Sequence, residues 1–172
     1  MKKVRFISLF VALLMIAVFA SSCSGATKTT KYMWQEFSIT MPNDFEQVQN
    51  DVSAFCISRK DSMMIVKKDS FDSIAAIGLT KDSDFSEYYL VIKEYNELGD
   101  SVLVPTVDDR YEYFTYFKLV DGVHTFYLAV LYKTENAFWL CQFACHADKY
   151  VDLMPKFLEW ADTVQFTASV LD

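Results

Sequence analysis

Residues 111–145, YEYFTYFKLVDGVHTFYLAVLYKTENAFWLCQFAC, decide the fold. Three apolar and aromatic runs, 111–120, 123–133 and 137–145, are joined by Asp121-Gly122 and by Thr134-Glu135-Asn136. Both joints have hairpin length and chemistry, since Asp-Gly readily adopts the positive φ angles that a two-residue hairpin turn demands. The spacing predicts an antiparallel meander. Residues 126–132 are apolar on both faces, so this strand is covered on both sides, which calls for helices against each face of the sheet.

Upstream, Phe37, Ile39 and Met41 alternate with Ser38 and Thr40, the pattern of a half-buried strand closed by Pro42 and Asn43. Strands are also predicted over 52–58 and 63–67, with the polar 59–62 between them as a hairpin turn. Residues 69–81 are ambiguous: Phe71, Ile74 and Ile77 fit a helical face, while Ser, Asp and Gly crowd the flanks. Asp84 followed by Glu87 has the form of a capping box, and Phe85, Tyr89, Ile92 and Tyr95 line one face of a helix that stops at Gly99. After the meander, 147–164 carries apolar residues at helical spacing, with Asp148 as a candidate cap. Pro155 interrupts it, which predicts a kink or a helix restarting at that proline.

The front of the chain has a different purpose. Met1, Lys2, Lys3 and Arg5 precede a run from Phe6 to Ala20 that is apolar except for Ser8. This is the layout of an export signal, too short to span a bilayer comfortably. Ala20, Ser21, Ser22 and Cys23 then resemble the lipobox of bacterial lipoproteins, with Ala20 where leucine is usual. The resemblance implies a signal peptide over 1–22, lipid attachment at Cys23, a lipidated tether over 23–33 and one domain over 34–168. An ordinary secretory cleavage after Ala20 is the alternative.

A mature chain of about 150 residues buries roughly 70% of its unfolded surface and needs no disulfide staples. The whole chain has 16 basic and 23 acidic residues. Losing the three basic residues of the leader raises the imbalance to thirteen against 23, which repels phosphate backbones and argues against nucleic acid as a partner.

Candidate chemistry is sparse. Four scattered glycines cannot form a phosphate-cradling loop, and His124 and His146 cannot supply a zinc-hydrolase motif, so no cofactor is implied. Cys56, Cys141 and Cys145 remain. Cys141 and Cys145 share one face of a predicted strand about 13 Å apart, too far to bridge each other. They are buried thiols, or one of them forms a disulfide with Cys56, or one serves as a metal ligand or a nucleophile. Cys145 and His146, adjacent on a strand, point to opposite faces and form no direct dyad. The acidic groups Asp82, Asp84 and Glu87, and Asp108 with Asp109, lack the ligand spacing of a calcium loop; a helix cap and a solvated turn account for them. Tyr111, Tyr113, Phe114, Tyr116 and Phe117 crowd one strand, as core filling or as a groove for a partner or an apolar ligand.

The order of elements, with the FSITMP opening strand at 37–42, the FWLCQFAC strand at 138–145 and the closing Tyr150, Phe157 and 160–166 tail, resembles the PsbP-like family. That family takes its name from the photosystem extrinsic protein and includes Ran-binding import factors and envelope lipoproteins. The resemblance implies an α+β fold, a central antiparallel sheet with helices on both faces in an α/β/α sandwich. It implies no catalytic set, because such domains serve as binding or assembly modules.

The expectation is a lipid-anchored envelope protein that binds a protein partner or a small apolar ligand and is no enzyme. The alternatives are a structural subunit of an envelope complex and a thiol-dependent enzyme using Cys141 or Cys145. Ser24 stands where lipoproteins retained in the inner membrane usually carry aspartate, and no acidic tract follows; the resemblance to sorted lipoproteins thus implies the outer membrane and its periplasmic face.

Overall fold

The computed structural model describes residues 28–48, 55–105 and 110–167. The signal peptide expected over 1–22, Cys23, and the Asp108-Asp109 pair lie outside the described residues.

The chain opens with β1 (Thr29–Trp34) and β2 (Phe37–Pro42), which pair antiparallel. The tether expected over 23–33 is thereby corrected: from Thr29 onward the chain is already strand. TTKYMW alternates poorly and is largely exposed, and its structure comes from pairing along the buried β2, a tertiary cause with no local signature. With β10 (Gln165–Phe166), which joins the other edge of β2, these strands make a three-stranded sheet.

The larger sheet has seven antiparallel strands. In chain order they are β3 (Glu46–Gln47), β4 (Phe55–Arg59), β5 (Ser62–Ser70), β6 (Val104–Pro105), β7 (Glu112–Val120), β8 (Val123–Lys133) and β9 (Ala137–His146). Their spatial order is β3-β4-β5-β9-β8-β7-β6. The meander forms as its turns dictate, with Asp121 and Gly122 at φ 49° and 81°. These are the two positive angles that a type I′ turn needs.

Among the described residues three helices complete the fold: α1 (Phe71–Ile74), continued by a 3₁₀ turn at Ala75–Ile77, α2 (Phe85–Asn96) and α3 (Tyr150–Ala161). The ambiguous segment after β5 is thus helical only for two short turns. In α2 the capping box closes: the Asp84 carboxylate accepts from Glu87 N–H at 2.9 Å, and Asp84 N–H donates to the Glu87 carboxylate at 3.0 Å.

At the end of the chain the restart at Pro155 and the Asp148 cap do not occur. α3 runs through Pro155 without restarting there. Asp148 does not cap α3; its carboxylate meets His146 Nδ1 at 2.8 Å, and no side chain bonds the first turn. The burial of Leu153, Phe157 and Trp160 along one stripe outweighs the hydrogen bond lost at an exposed proline.

Each face of the large sheet has its own core. On the first, Phe55, Ile57, Met64, Val66, Trp139, Cys141, Phe143 and Cys145 pack beneath the small sheet and α3. On the second, Phe114, Ala129, Leu131, Phe138 and Leu140 pack beneath α1 and α2. Phe138 is fully buried against Tyr88, with stacked rings 4.4 Å apart. Helices therefore lie on both faces of a central antiparallel sheet, as expected, and the small sheet shares the first face with α3.

Candidate functional site

Register across the sheet fixes where every candidate side chain points. Cys56 lies opposite Ile65, and Ile65 opposite Gln142, so these three project to the second face. Cys141 and Cys145 belong to the first-face core. The candidate disulfide of Cys56 with Cys141 or Cys145 is therefore corrected: β5 separates the strands, the thiols project from opposite faces, and all three residues are thiols.

Neither first-face sulfur is set up as a nucleophile. Burial pushes the Cys141 thiol far up. Burial, helped by the charges of Asp61 and Asp148, pushes Cys145 up to about 11. A nucleophilic cysteine needs the opposite displacement. His146 lies on the second face, opposite Thr125, and is held by Asp148 rather than by sulfur. Asp84 and Glu87 are engaged in their capping box. Among the described residues no group of three His, Cys, Asp or Glu side chains converges to hold a metal ion.

The second face, however, is only half covered. α1 and α2 sit over the rows containing Phe138, Leu140, Leu131 and Phe114. Toward the β7–β8 turn the next row across the sheet reads Tyr116, Tyr127, Ala144, Met63 and Ser58, directly opposite one another on β7, β8, β9, β5 and β4. Tyr116 and Tyr127 stack at 4.8 Å with their planes 5° apart. Gln142 Nε2 donates to Tyr116 Oη at 2.7 Å and fixes the outer ring. Burial raises the pKa of both phenols, so both are neutral donors at physiological pH.

Beside this platform an open groove of about 290 Å³ is lined by Arg59, Asp61, Met63, Thr125, His146 and the edge of the buried Cys145. Arg59 is already committed: it donates to Asp61 at 2.8 Å and to Ser62 at 2.9 Å, and lies over Phe45 and Trp160. The site offers half-buried aromatic faces, a flexible thioether and a hydroxyl, with an exposed imidazole beside them. Such a surface binds by shape and apolar contact.

A larger cavity of about 690 Å³ at the opposite end of the sheet brings together Lys81, Arg110 and Lys133. Two of these cations are spoken for: Lys133 Nζ donates to Ser83 O at 2.6 Å, and Arg110 pairs with Asp162 at 3.2 Å.

The Tyr116–Tyr127 pair was within reach of sequence reading, because a two-residue turn at 121–122 places 116 against 127. Which half of the face a helix leaves open was not, since that depends on where α2 docks.

No protein-family model and no curated protein matches the chain. Solved structures do. A crystal structure from Bacteroides thetaiotaomicron is 14% identical with a TM-score of 0.54, covering 81% of this chain and 48% of that one, so the chain spans about half the length of that protein. Cyanobacterial PsbP from Synechocystis is 14% identical with a TM-score of 0.57, covering 86% and 98%. The Saccharomyces cerevisiae Ran-binding protein Mog1p is 7% identical with a TM-score of 0.56, covering 82% and 96%. What carries across at these identities is the backbone arrangement: the chain has the PsbP-like fold that cyanobacterial PsbP and yeast Mog1p share.

Proposed function

We propose that the chain is a lipid-anchored protein of the bacterial envelope whose domain is a non-catalytic binding or assembly module, and that it takes a protein partner on the open half of the second sheet face. The observation that carries the reading is the stacked Tyr116–Tyr127 platform with the groove beside it, on a sheet face that is elsewhere covered by helices. Partly exposed Tyr and Met side chains at the centre of a patch, with polar groups at its edge, are the composition of a protein-binding surface.

Three further points support it. Mog1p, described as Ran-binding, is a fold neighbour built for a protein partner. The elevated Cys141 and Cys145 pKa values favour the binding reading over the thiol-enzyme alternative. A groove of 290 Å³ is small and open for a ligand pocket, which favours a protein side chain over a carried small molecule. The lipobox-like stretch ending at Cys23 supports the anchor, and Ser24 supports the outer membrane with the domain on its periplasmic side.

Photocrosslinking in intact cells tests the binding surface. A benzoylphenylalanine at Met63 or Thr125 is expected to capture one discrete protein, where the same probe at Glu135, on the far β8–β9 turn, captures none. Indistinguishable patterns from all three positions would remove the surface from consideration.

A further inference from the structure

Six of the thirteen exposed large apolar side chains among the described residues gather at one place: Phe117, Leu119, Val120, Val123, Tyr150 and Val151. The first four belong to the β7–β8 hairpin and the last two to the start of α3. Phe117 packs against both Phe126 and Tyr150, with ring centroids 5.3 and 5.4 Å apart, which holds the hairpin and the helix start together. The hairpin also outreaches its neighbours. β9 ends at His146 opposite Thr125 and β5 begins at Ser62 opposite Cys145, so Val123 and Leu119, paired within the β7–β8 hairpin, stand beyond the last row that β8 shares with β9. Leu119 is 59% and Val151 66% exposed.

The same end of the domain receives the chain from its front. Lys28 O accepts from Asn43 N at 2.9 Å, neighbouring Asp44 pairs with Arg59 at 3.5 Å, and Arg59 opposes Ser62 in the β4–β5 hairpin. Ser62 opposes Cys145, Cys145 opposes Phe126, and Phe126 opposes Phe117. This unbroken row runs across one edge of the sheet, about 19 Å from β4 to β7 at ordinary strand spacing. Five residue steps separate Lys28 from Cys23, a reach of about 18 Å at most. A lipid on Cys23 would therefore hold this end, and not the β8–β9 end, against the bilayer.

We infer that the apolar tip formed by the β7–β8 hairpin and the start of α3 rests on the phospholipid surface to which the chain is anchored, as a second, non-covalent membrane contact. The inference rests on the proposed lipid anchor. Phe, Leu and Val at the tip supply the burial, Tyr150 has the amphipathic character of an interfacial side chain, and the exposed Lys118 and Lys149 can reach headgroup phosphates along their stems. Asp121, at the turn itself, together with Asp148 keeps the contact shallow, at headgroup depth. Docked in this way the domain presents its groove at the edge of the bilayer, and the Lys81, Arg110 and Lys133 end points away.

The test uses the full acylated chain in protein-free vesicles of phosphatidylethanolamine and phosphatidylglycerol. An environment-sensitive label is placed at Leu119→Cys, Val151→Cys or Glu135→Cys, and quenching by doxyl-labelled lipid is read. The three native thiols of the folded domain are buried and stay silent. Labels at 119 and 151 are expected to be quenched several-fold more than the label at 135. Equal, weak quenching at all three positions overturns the contact. So does shielding at 119 that occurs only in native envelopes and not in lipid vesicles, because a protein then covers the tip. A parallel Cys23→Ala chain separates the two claims: if it sediments with membranes as the parent does and the parent carries no acyl group, the anchor itself is wrong, whereas an anchored chain with a water-exposed tip refutes the contact alone.

Discussion

Raising the pH on the folded domain in the presence of a thiol reagent probes whether its sulfurs are filling or chemistry. Cys141 is 0% exposed and Cys145 4%. With its pKa pushed up to about 11, Cys145 is ionised in roughly one molecule per thousand at about pH 8, against about a quarter for an ordinary thiol. Alkylation is thus slowed about two-hundredfold by ionisation alone, before occlusion by the small sheet and α3 is counted. Intact-mass measurement after iodoacetamide treatment should show no alkylation of Cys56, Cys141 or Cys145 in the native domain and alkylation of all three in guanidinium. The folded-state value also lies above the unfolded one, so Cys145 contributes stability that is complete at neutral pH and is lost as the pH climbs from about 9 to about 11. Rapid native labelling of Cys145 near pH 7, at the rate of a free thiol, would refute the reasoning and revive a thiol-dependent activity.

Three stability predictions follow from the packing. Phe138→Ala removes a fully buried ring stacked on Tyr88 and packed against Phe71, and should cost about 3–5 kcal/mol, lowering Tm by roughly 10 °C or more in a thermal melt. Pro155→Ala restores an amide donor inside α3 at an exposed position and should stabilise the domain by about 1 kcal/mol or more, read as a rise in denaturant midpoint without a change in slope. Asp84→Ala removes one half of the capping box and should cost about 1 kcal/mol, with hydrogen exchange accelerating first at the start of α2.

What the sequence disclosed follows the range of the forces involved. The three meander strands and the Asp84–Glu87 cap are legible because a turn dipeptide, a strand period and a cap are local chemistry. Helices on both faces were legible because strand 126–132 has no polar face. β1 was hidden, since its polar residues acquire strand structure only by lying along β2. Asp148 misled because its carboxylate pairs with His146, a partner that the helical pattern of 147–164 does not reveal. The pairing of Cys56 with a first-face sulfur failed on parity: a strand places its thiol by register, and the register of β4 against β5 and β9 is set by the two cores together. The open half of the second face was illegible for the same reason, because twelve residues of α2 cannot cover an eleven-residue strand from end to end.

The most direct measurement is hydroxyl-radical footprinting of the chain in intact envelopes against the purified domain. If a partner occupies the open half of the second face, Met63 and Tyr127 are strongly protected in envelopes while Tyr95, 88% exposed on α2, is oxidised equally in both. Equal oxidation of Met63 and Tyr127 in the two samples would contradict the account.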